Sequence, residues 1–383
     1  MREKFLIFGA PCIEQPEIDE VVATLKSGWI GSGPRVAQFE RDFSLYKAGG
    51  QAVAVNSCTA ALHLALLASG IEPGDEVITT PLTFAATVNA ILHTGATPVL
   101  ADIDPVTMNL EPDRVAERIT PRTRAILPVH FAGRPCDMDA ILDIARAHGL
   151  LVIEDCAHAI ETLYHDKPAG TLGDIGCFSF YSTKNITTAE GGMLLLHDPE
   201  QAGRIKTLAL HGMSRDAWKR YGDAGFRHYL VEEVGYKFNM TDLQAAIGLH
   251  QLTRIEAGLR RRQAIWACYD AQLADLTITL PAPEEAGTRH ARHLYTIQVE
   301  EDRCGVARDA FLDRMTAERI GVGVHYLSLP EHPVYQRLLG WCPEDYPHAR
   351  RIGRSTVSLP LSACLTDQDV EDVVVAVRSI LAR

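Results

Sequence analysis

The sequence lacks a Cys-x-x-Cys pair, a His-rich tract and any uninterrupted apolar run of membrane length. Its nine cysteines stand apart at 12, 58, 136, 156, 177, 268, 304, 342 and 364. They are odd in number and without metal-ligand spacing, so neither a disulfide framework nor a zinc site is expected. Basic residues are scarce: 37 Lys and Arg against 49 Asp and Glu leave a formal charge of -12. That balance works against a general phosphate-backbone binder, which needs clustered cations, although a few aimed N–H groups can still hold one small anion. The opening residues, Met1-Arg2-Glu3-Lys4-Phe5, mix charges and run into Gly and Pro without an apolar signal core. The expectation is a cytoplasmic protein. Internal repeats and low-complexity segments are also lacking.

What is present is globular. Of 383 residues, 46% are apolar and 22% charged, enough for two or three domains at about 150 residues each. From Gln51 to His197 short β-branched runs alternate with helix-like ones, which predicts an α/β unit around a parallel sheet. Strands are expected at 51–56, 76–79, 97–101, 124–129, 151–154, 176–181 and 191–196, with helices at 58–69, 84–93 and 137–148. One long helix or a kinked pair spans 242–274, with Leu243, Ala246, Ile247, His250 and Leu252 on one face before Arg260-Arg261-Arg262, which reads as a solvated face. It bridges a large unit, 1–250, and a smaller one, 251–383, whose strand-helix series starts at 293–299 and 307–317. Gly28-x-x-Gly31-x-Gly33 and Gly170-x-x-Gly173-x-x-Gly176 do not link a strand to a helix as a dinucleotide fingerprint must, and read as turns.

Four segments carry chemistry. Leu151-Val-Ile-Glu-Asp155-Cys-Ala-His158-Ala159 is an apolar strand ending on a carboxylate. In open parallel sheets ligands lie beyond such strand ends, so Asp155 can hold a heterocyclic nitrogen protonated; the plain alternative is a helix N-cap. Lys184, one of eight lysines, follows the apolar run Gly176 to Tyr181. Desolvation there favours a neutral amine able to form a Schiff base; the alternative is a surface lysine beside a turn. In Val55-Asn-Ser57-Cys58-Thr59-Ala-Ala61 a strand meets a strong helix former, whose first free N–H groups can cradle a phosphate or simply be capped. Phe84, within Thr83-Phe-Ala-Ala-Thr87, can lie flat on an aromatic cofactor or fill a core.

A Schiff-base lysine, a carboxylate for a ring nitrogen, a phosphate-binding helix start and a stacking aromatic are the parts that pyridoxal phosphate (PLP) needs. With them, the ordered motifs Ser27-Gly-Trp29-Ile-Gly-Ser-Gly-Pro34, Gly74-Asp-Glu-Val77, Glu154 to His158, Ser179 to Asn185, Glu190-Gly-Gly192, His211-Gly212, Gly235-Tyr-Lys-Phe-Asn239 and Gly323-Val-His325 run through nearly the whole chain. The sequence resembles the PLP-dependent sugar-nucleotide aminotransferases of the DegT/DnrJ group, fold type I. Within that group it is most similar to enzymes that aminate the 4-keto position of UDP-sugars, notably the one forming UDP-4-amino-4-deoxy-arabinose.

The resemblance implies a mostly parallel seven-stranded sheet in a large domain, a smaller C-terminal α/β domain, and a cytoplasmic homodimer with shared sites. It makes Lys184 the Schiff-base residue and Asp155 the partner of the pyridine nitrogen. Phe84 would stack on the ring, His158 approach the phenolic oxygen, and Cys58, Thr59 and Ser179 hold the phosphate, Cys58 through its backbone. Asn239 would reach the phosphate in the neighbouring subunit. Trp29, Glu190, His325, Tyr326 and His332 would face the sugar nucleotide, each having a structural alternative. No metal is implied; L-glutamate is the implied donor and pyridoxamine phosphate the second cofactor form. A variant with histidine for the lysine is a dehydratase, and Lys184 argues against it. Two other readings stay open: a nicotinamide-dependent sugar oxidoreductase and a non-catalytic PLP-binding regulator.

Overall fold

Alternation of β-branched runs with Ala- and Leu-rich segments builds one seven-stranded sheet in the computed structural model, which describes residues 2–213 and 230–381. Its strands are β1 (Gln51–Val55), β2 (Glu76–Thr79), β3 (Thr97–Leu100), β4 (Thr123–Leu127) and β5 (Leu151–Asp155). After the two-residue strands β6 (Leu163–Tyr164) and β7 (Lys167–Pro168) come β8 (Ile175–Ser179) and β9 (Gly192–Leu196). The order is β1-β9-β8-β5-β4-β2-β3. Neighbours from β3 to β8 run parallel, whereas β9 is antiparallel to both β1 and β8. β2 and β9 are buried along their whole length, and β9, Gly-Met-Leu-Leu-Leu, accordingly reads as a continuous apolar run, whereas β2 carries Glu76 and Thr79 at its ends.

Helices cover both faces: α1 (Gln15–Ser27), α2 (Pro34–Tyr46), α3 (Cys58–Ala68), α4 (Ala85–His93), α5 (Pro112–Glu117), α6 (Met138–His148), α7 (Pro199–Leu208) and α8 (Asp242–Thr253). The period of two along β1 sorts its side chains between them. Val53 and Val55 join a core with Leu64, Leu66 and Ile205 from α3 and α7, while Ala52 and Ala54 join Phe39, Phe43 and Leu249 from α2 and α8.

The later elements are α9 (Ile255–Leu273), β10 (Thr288–Arg289), β11 (Tyr295–Gln298), α10 (Glu301–Cys304), α11 (Arg308–Ala317), α12 (Pro333–Leu339), α13 (Pro347–Ser355), β12 (Thr356–Leu359) and α14 (Asp367–Leu381). β11 and β12 form an antiparallel pair, and β10 joins β6 and β7. Trp266, Tyr269, Ile297, Phe311, Val357 and Val377 make a separate core. The N-terminal segment crosses to it: Leu6 bridges Ile320, and Arg2 bonds Asp369 at 2.6 Å. Among the described residues no helix is long and apolar enough to cross a membrane.

Several expectations are corrected. Of the two forms expected for 242–274 the pair is found; besides Ala246 and Leu252 of the expected face, α8 buries Asp242, Ala245 and Leu249 and leaves Leu243 and Ile247 only partly buried, because it packs between α1 and α2. Arg262 is not solvated. It is 2% exposed and paired with buried Glu161, since consecutive helical residues turn by about 100° and cannot share a face. Gly176 lies inside β8, not in a turn; a Cβ there would fall 2.4 Å from Gly170 Cα. Gly33 precedes α2, but a helix rather than a strand lies before it. Cys12 and Cys364 form a disulfide across 352 residues, a separation no sequence pattern announces.

Candidate active site

The C-terminal ends of β1, β5 and β8 and the start of α4 gather the chemistry. After β1, Ser57 caps α3 by accepting the Ala60 N–H at 3.1 Å. The N–H groups of Cys58 and Thr59, first in the helix, take no partner among the described groups, as an anion cradle requires. Burial, then Asp155 and Cys177, pushes the Cys58 thiol well up, so it stays protonated. Gly192 opens β9 directly against this turn: a Cβ there would meet the Ser57 carbonyl at 2.5 Å and Cys58 N at 2.7 Å.

Asp155 is the last residue of β5, and no helix follows it, which removes the N-cap reading. Its Oδ1 accepts the Ala157 N–H at 3.1 Å and its Oδ2 the Thr87 hydroxyl at 2.9 Å. Burial raises its pKa, against the pull of those donors and of Lys184. Lys184 lies in the loop after β8, its N–H bonded to the Tyr181 carbonyl at 2.9 Å. Burial pulls its ammonium down to about 8, with Cys58 and Asp155 acting in the opposite sense. A buried acid raised and a partly buried, desolvated amine lowered, each in the other's field, is the arrangement expected where protons are moved.

His158 stands beside them. Its Nδ1 accepts the Ala132 N–H at 3.2 Å, so Nε2 carries the proton and donates to the Tyr326 hydroxyl at 3.0 Å. Its ring lies 4.4 Å from that of His293. Burial, and next the charge of Lys184, holds His158 and His293 well below the usual range and His325 at about 3. His325 Nδ1 is 2.8 Å from Ser358 Oγ. Phe84 precedes α4, is 61% exposed and sits 6.0 Å from the Tyr326 ring.

The other sequence candidates are less tightly drawn together. Ser179 ends β8, its Oγ accepting the Tyr181 N–H at 3.4 Å. Asn239 bridges Val55 at the end of β1, donates to Ser32 Oγ at 2.6 Å and accepts from Lys237 at 2.7 Å. Trp29, half exposed, donates to the Ser32 carbonyl at 3.0 Å. The Glu190 side chain is exposed while its carbonyl ties down Gln244 at 2.8 Å. His332 precedes α12 with its ring edge-on to Tyr335.

Sequence reasoning passed over Thr87, His293 and the Glu161–Arg262 pair. Asn185, next to Lys184, donates to Glu161 Oε2 at 2.7 Å and to the Ala291 carbonyl at 3.1 Å, and its Oδ1 lies 2.9 Å from His293 Nδ1. His130, Glu154 and Cys156 also bring ligand-type atoms within 4.8 Å of one another. The Glu154 carboxylate there is already occupied by His130 at 3.0 Å and by the N–H groups of Gly170, Leu172 and Gly173.

Residues 11–378 match the DegT/DnrJ/EryC1/StrS aminotransferase family. The chain belongs to that family. It is 50% identical over 382 residues to the spore coat polysaccharide biosynthesis protein SpsC of Bacillus subtilis, covering 99% of this chain and 98% of that one. Its fold superposes on Spr1654 of Streptococcus pneumoniae in the PMP form with a TM-score of 0.92 at 34% identity, covering 98% and 99% of the two chains. PseC of Helicobacter pylori, an aminotransferase involved in pseudoaminic acid biosynthesis, gives 0.91 at 28% identity over 99% and 100%. The chain is a sugar aminotransferase, and its cofactor is PLP.

The aminotransferase's own residues fit that group. A free helix start faces its phosphate chemistry, a buried carboxylate without an ion-pair partner among the described residues suits a cationic ring nitrogen, and a desolvated amine suits its aldehyde. Because Gly192 supports the cradle from below, Gly192→Ala is expected to displace the start of α3. Loss of PLP affinity on the order of tenfold, with destabilisation of about 1–3 kcal/mol, is the expected outcome in equilibrium dialysis and urea unfolding.

Proposed function

We propose that this aminotransferase moves an amino group from L-glutamate to the keto carbon of a nucleotide-linked sugar, with a UDP-linked 4-keto sugar as the preferred acceptor. The observation that carries the reading is Asp155, buried at the end of β5, and Lys184, partly buried in the loop after the neighbouring β8, each shifted in the direction amino transfer uses. The balance is simple: the H–C–NH₂ of glutamate becomes the C=O of 2-oxoglutarate, and the sugar's C=O becomes H–C–NH₂.

When bound, PLP supplies an electron sink and carries the nitrogen, as pyridoxamine phosphate, between the two half-reactions. In this reading the chain's residues do the rest. Cys58 and Thr59 offer backbone N–H groups and Ser179 a hydroxyl to the phosphate, and Phe84 offers a ring face. Asp155 keeps the ring nitrogen cationic, and His158 addresses the phenolic oxygen. Lys184, with a neutral form well populated near pH 8, takes the proton from the donor's α-carbon and returns one during the second half. Trp29, Glu190, His325 and Tyr326 face the sugar nucleotide. Asn239 completes the phosphate site of a second copy, in a homodimer whose protomers divide into 1–250 and 251–383. The relative named for spore coat polysaccharide supports a place in cell-envelope amino-sugar synthesis.

The test is single-turnover amination by the pyridoxamine form against UDP-, dTDP- and GDP-linked keto-sugars. The UDP-linked 4-keto sugar is expected to react fastest, after glutamate has bleached the cofactor's visible band. Failure of every keto-sugar nucleotide to restore that band would overturn the reading, and restoration by a different nucleotide would correct the acceptor.

A further inference from the structure

The first turn of α4 does more than present Phe84. It also brings Thr83 and Thr87 together, 2% and 1% exposed. Thr87 donates its hydroxyl to Asp155 Oδ2 at 2.9 Å, and its oxygen lies 2.8 Å from Thr83 Oγ1. A hydroxyl has one proton. Since Thr87 spends its own on the carboxylate, Thr83 must donate to Thr87, which makes a directed chain from Thr83 through Thr87 to Asp155. The other carboxylate oxygen takes the Ala157 N–H at 3.1 Å. Asp155 is therefore gripped at both oxygens by neutral donors, and no described cation pairs with it.

The two grips are not equivalent. Ala157 lies two residues along the same loop, so its N–H moves with Asp155. Thr87 reaches in from a different element, 68 residues away, and is the bond that fixes the carboxylate relative to the start of α4 and hence to Phe84. Charge-assisted hydrogen bonds of this kind favour the ionised acid.

We propose that Thr87 is a positioning residue for amino transfer: its hydroxyl, backed by Thr83, sets the direction and the ionised state of Asp155, and so the strength with which the site holds a protonated heterocyclic nitrogen. The proposal rests on the reading of Asp155 as the partner of the PLP ring nitrogen. The groups that face Asp155 from the surrounding elements are Lys184, His130, Tyr326 and the thiols of Cys58, Cys156 and Cys177. All six remain in every Thr87 variant, so a changed response belongs to the missing hydroxyl.

The experiment compares Thr87→Val, Thr87→Ser, Thr83→Val and Asp155→Asn with the unaltered full chain. It reads the affinity of cofactor-free protein for PLP, the pH dependence of the visible band, and kcat and KM for glutamate. Thr87→Val keeps the shape without the hydroxyl. It is expected to lose PLP affinity on the order of tenfold and glutamate kcat by roughly 10- to 100-fold, with KM nearly unchanged. Thr87→Ser should recover most of both, and Thr83→Val should show a smaller loss of the same kind. A Thr87→Val protein with ordinary affinity, pH profile and kcat, beside a crippled Asp155→Asn, overturns the proposal and leaves Thr87 as packing. An Asp155→Asn protein indistinguishable from the unaltered chain overturns the underlying reading of Asp155 instead. Should Thr87→Val not fold, Thr87→Cys against Thr87→Ser decides the matter: equal behaviour of thiol and hydroxyl sinks the proposal, and recovery by serine alone supports it.

Discussion

Replacing Lys184 with alanine is expected to abolish both half-reactions, with single-turnover rates falling by at least about a thousandfold while the fold is retained. The fold should survive because the lost group is an amine that burial already disfavours in its charged form. Borohydride reduction of PLP-loaded protein, followed by peptide mapping, should label position 184 in the unaltered chain and leave the variant unlabelled there.

A pH profile separates the amine's environment from its mere presence. A lysine held at about 8 has a neutral fraction that grows roughly tenfold per pH unit below that value and then levels. The rate at which cofactor-free protein captures PLP should therefore rise with pH and flatten above about 8. A rate that keeps climbing toward the ordinary lysine value of 10.5 would show that the amine is not desolvated.

The largest effect on stability is expected at Arg262. Its guanidinium is paired with Glu161, both are almost wholly buried, and Glu161 also receives the Asn185 amide at 2.7 Å. Arg262→Met removes one partner and leaves an uncompensated buried carboxylate, for which a loss of about 3–5 kcal/mol is expected. Burial already raises the Glu161 pKa, with Arg262 and Asn185 opposing it, so the orphaned acid should take up a proton. Urea stability of the variant should thus fall as pH rises from the ordinary Glu value of 4.5 through the raised value, more steeply than that of the unaltered chain. Combining Arg262→Met with Glu161→Gln should restore part of the loss. A single substitution without measurable cost would show that the pair is not the tie between α9 and the Lys184 loop that the geometry describes.

The sheet was legible because its strands are buried on both faces and read as short β-branched runs. The predicted segments 76–79, 97–101 and 151–154 differ from β2, β3 and β5 by no more than one residue. The 176–181 segment overran: Phe180 and Tyr181 are as apolar as the strand before them but leave the sheet at Ser179 to begin the Lys184 loop. Asp155 and Lys184 were visible for a local reason, a charged residue placed right after an apolar run. Thr87 and His293 offered no such sign. Their value lies in partners 68 and 108 residues away, and a threonine in a helix or a histidine before a strand looks the same whether or not that partner exists. Arg262 failed for a related reason: in a run of three arginines the helix turns each one differently, and only the acid it meets decides which is buried.

The strand that closes the site arrives late. Among the described residues the only strand of the seven-stranded sheet that pairs with β1 is β9, with Gln51 opposite Leu196 and Val55 opposite Gly192. As the polypeptide emerges from a ribosome, β1 therefore has no strand partner in the sheet until nearly two hundred residues have been made. A nascent chain halted just short of Gly192 would already contain Asp155 and Lys184, yet it would have no finished seat for a phosphate.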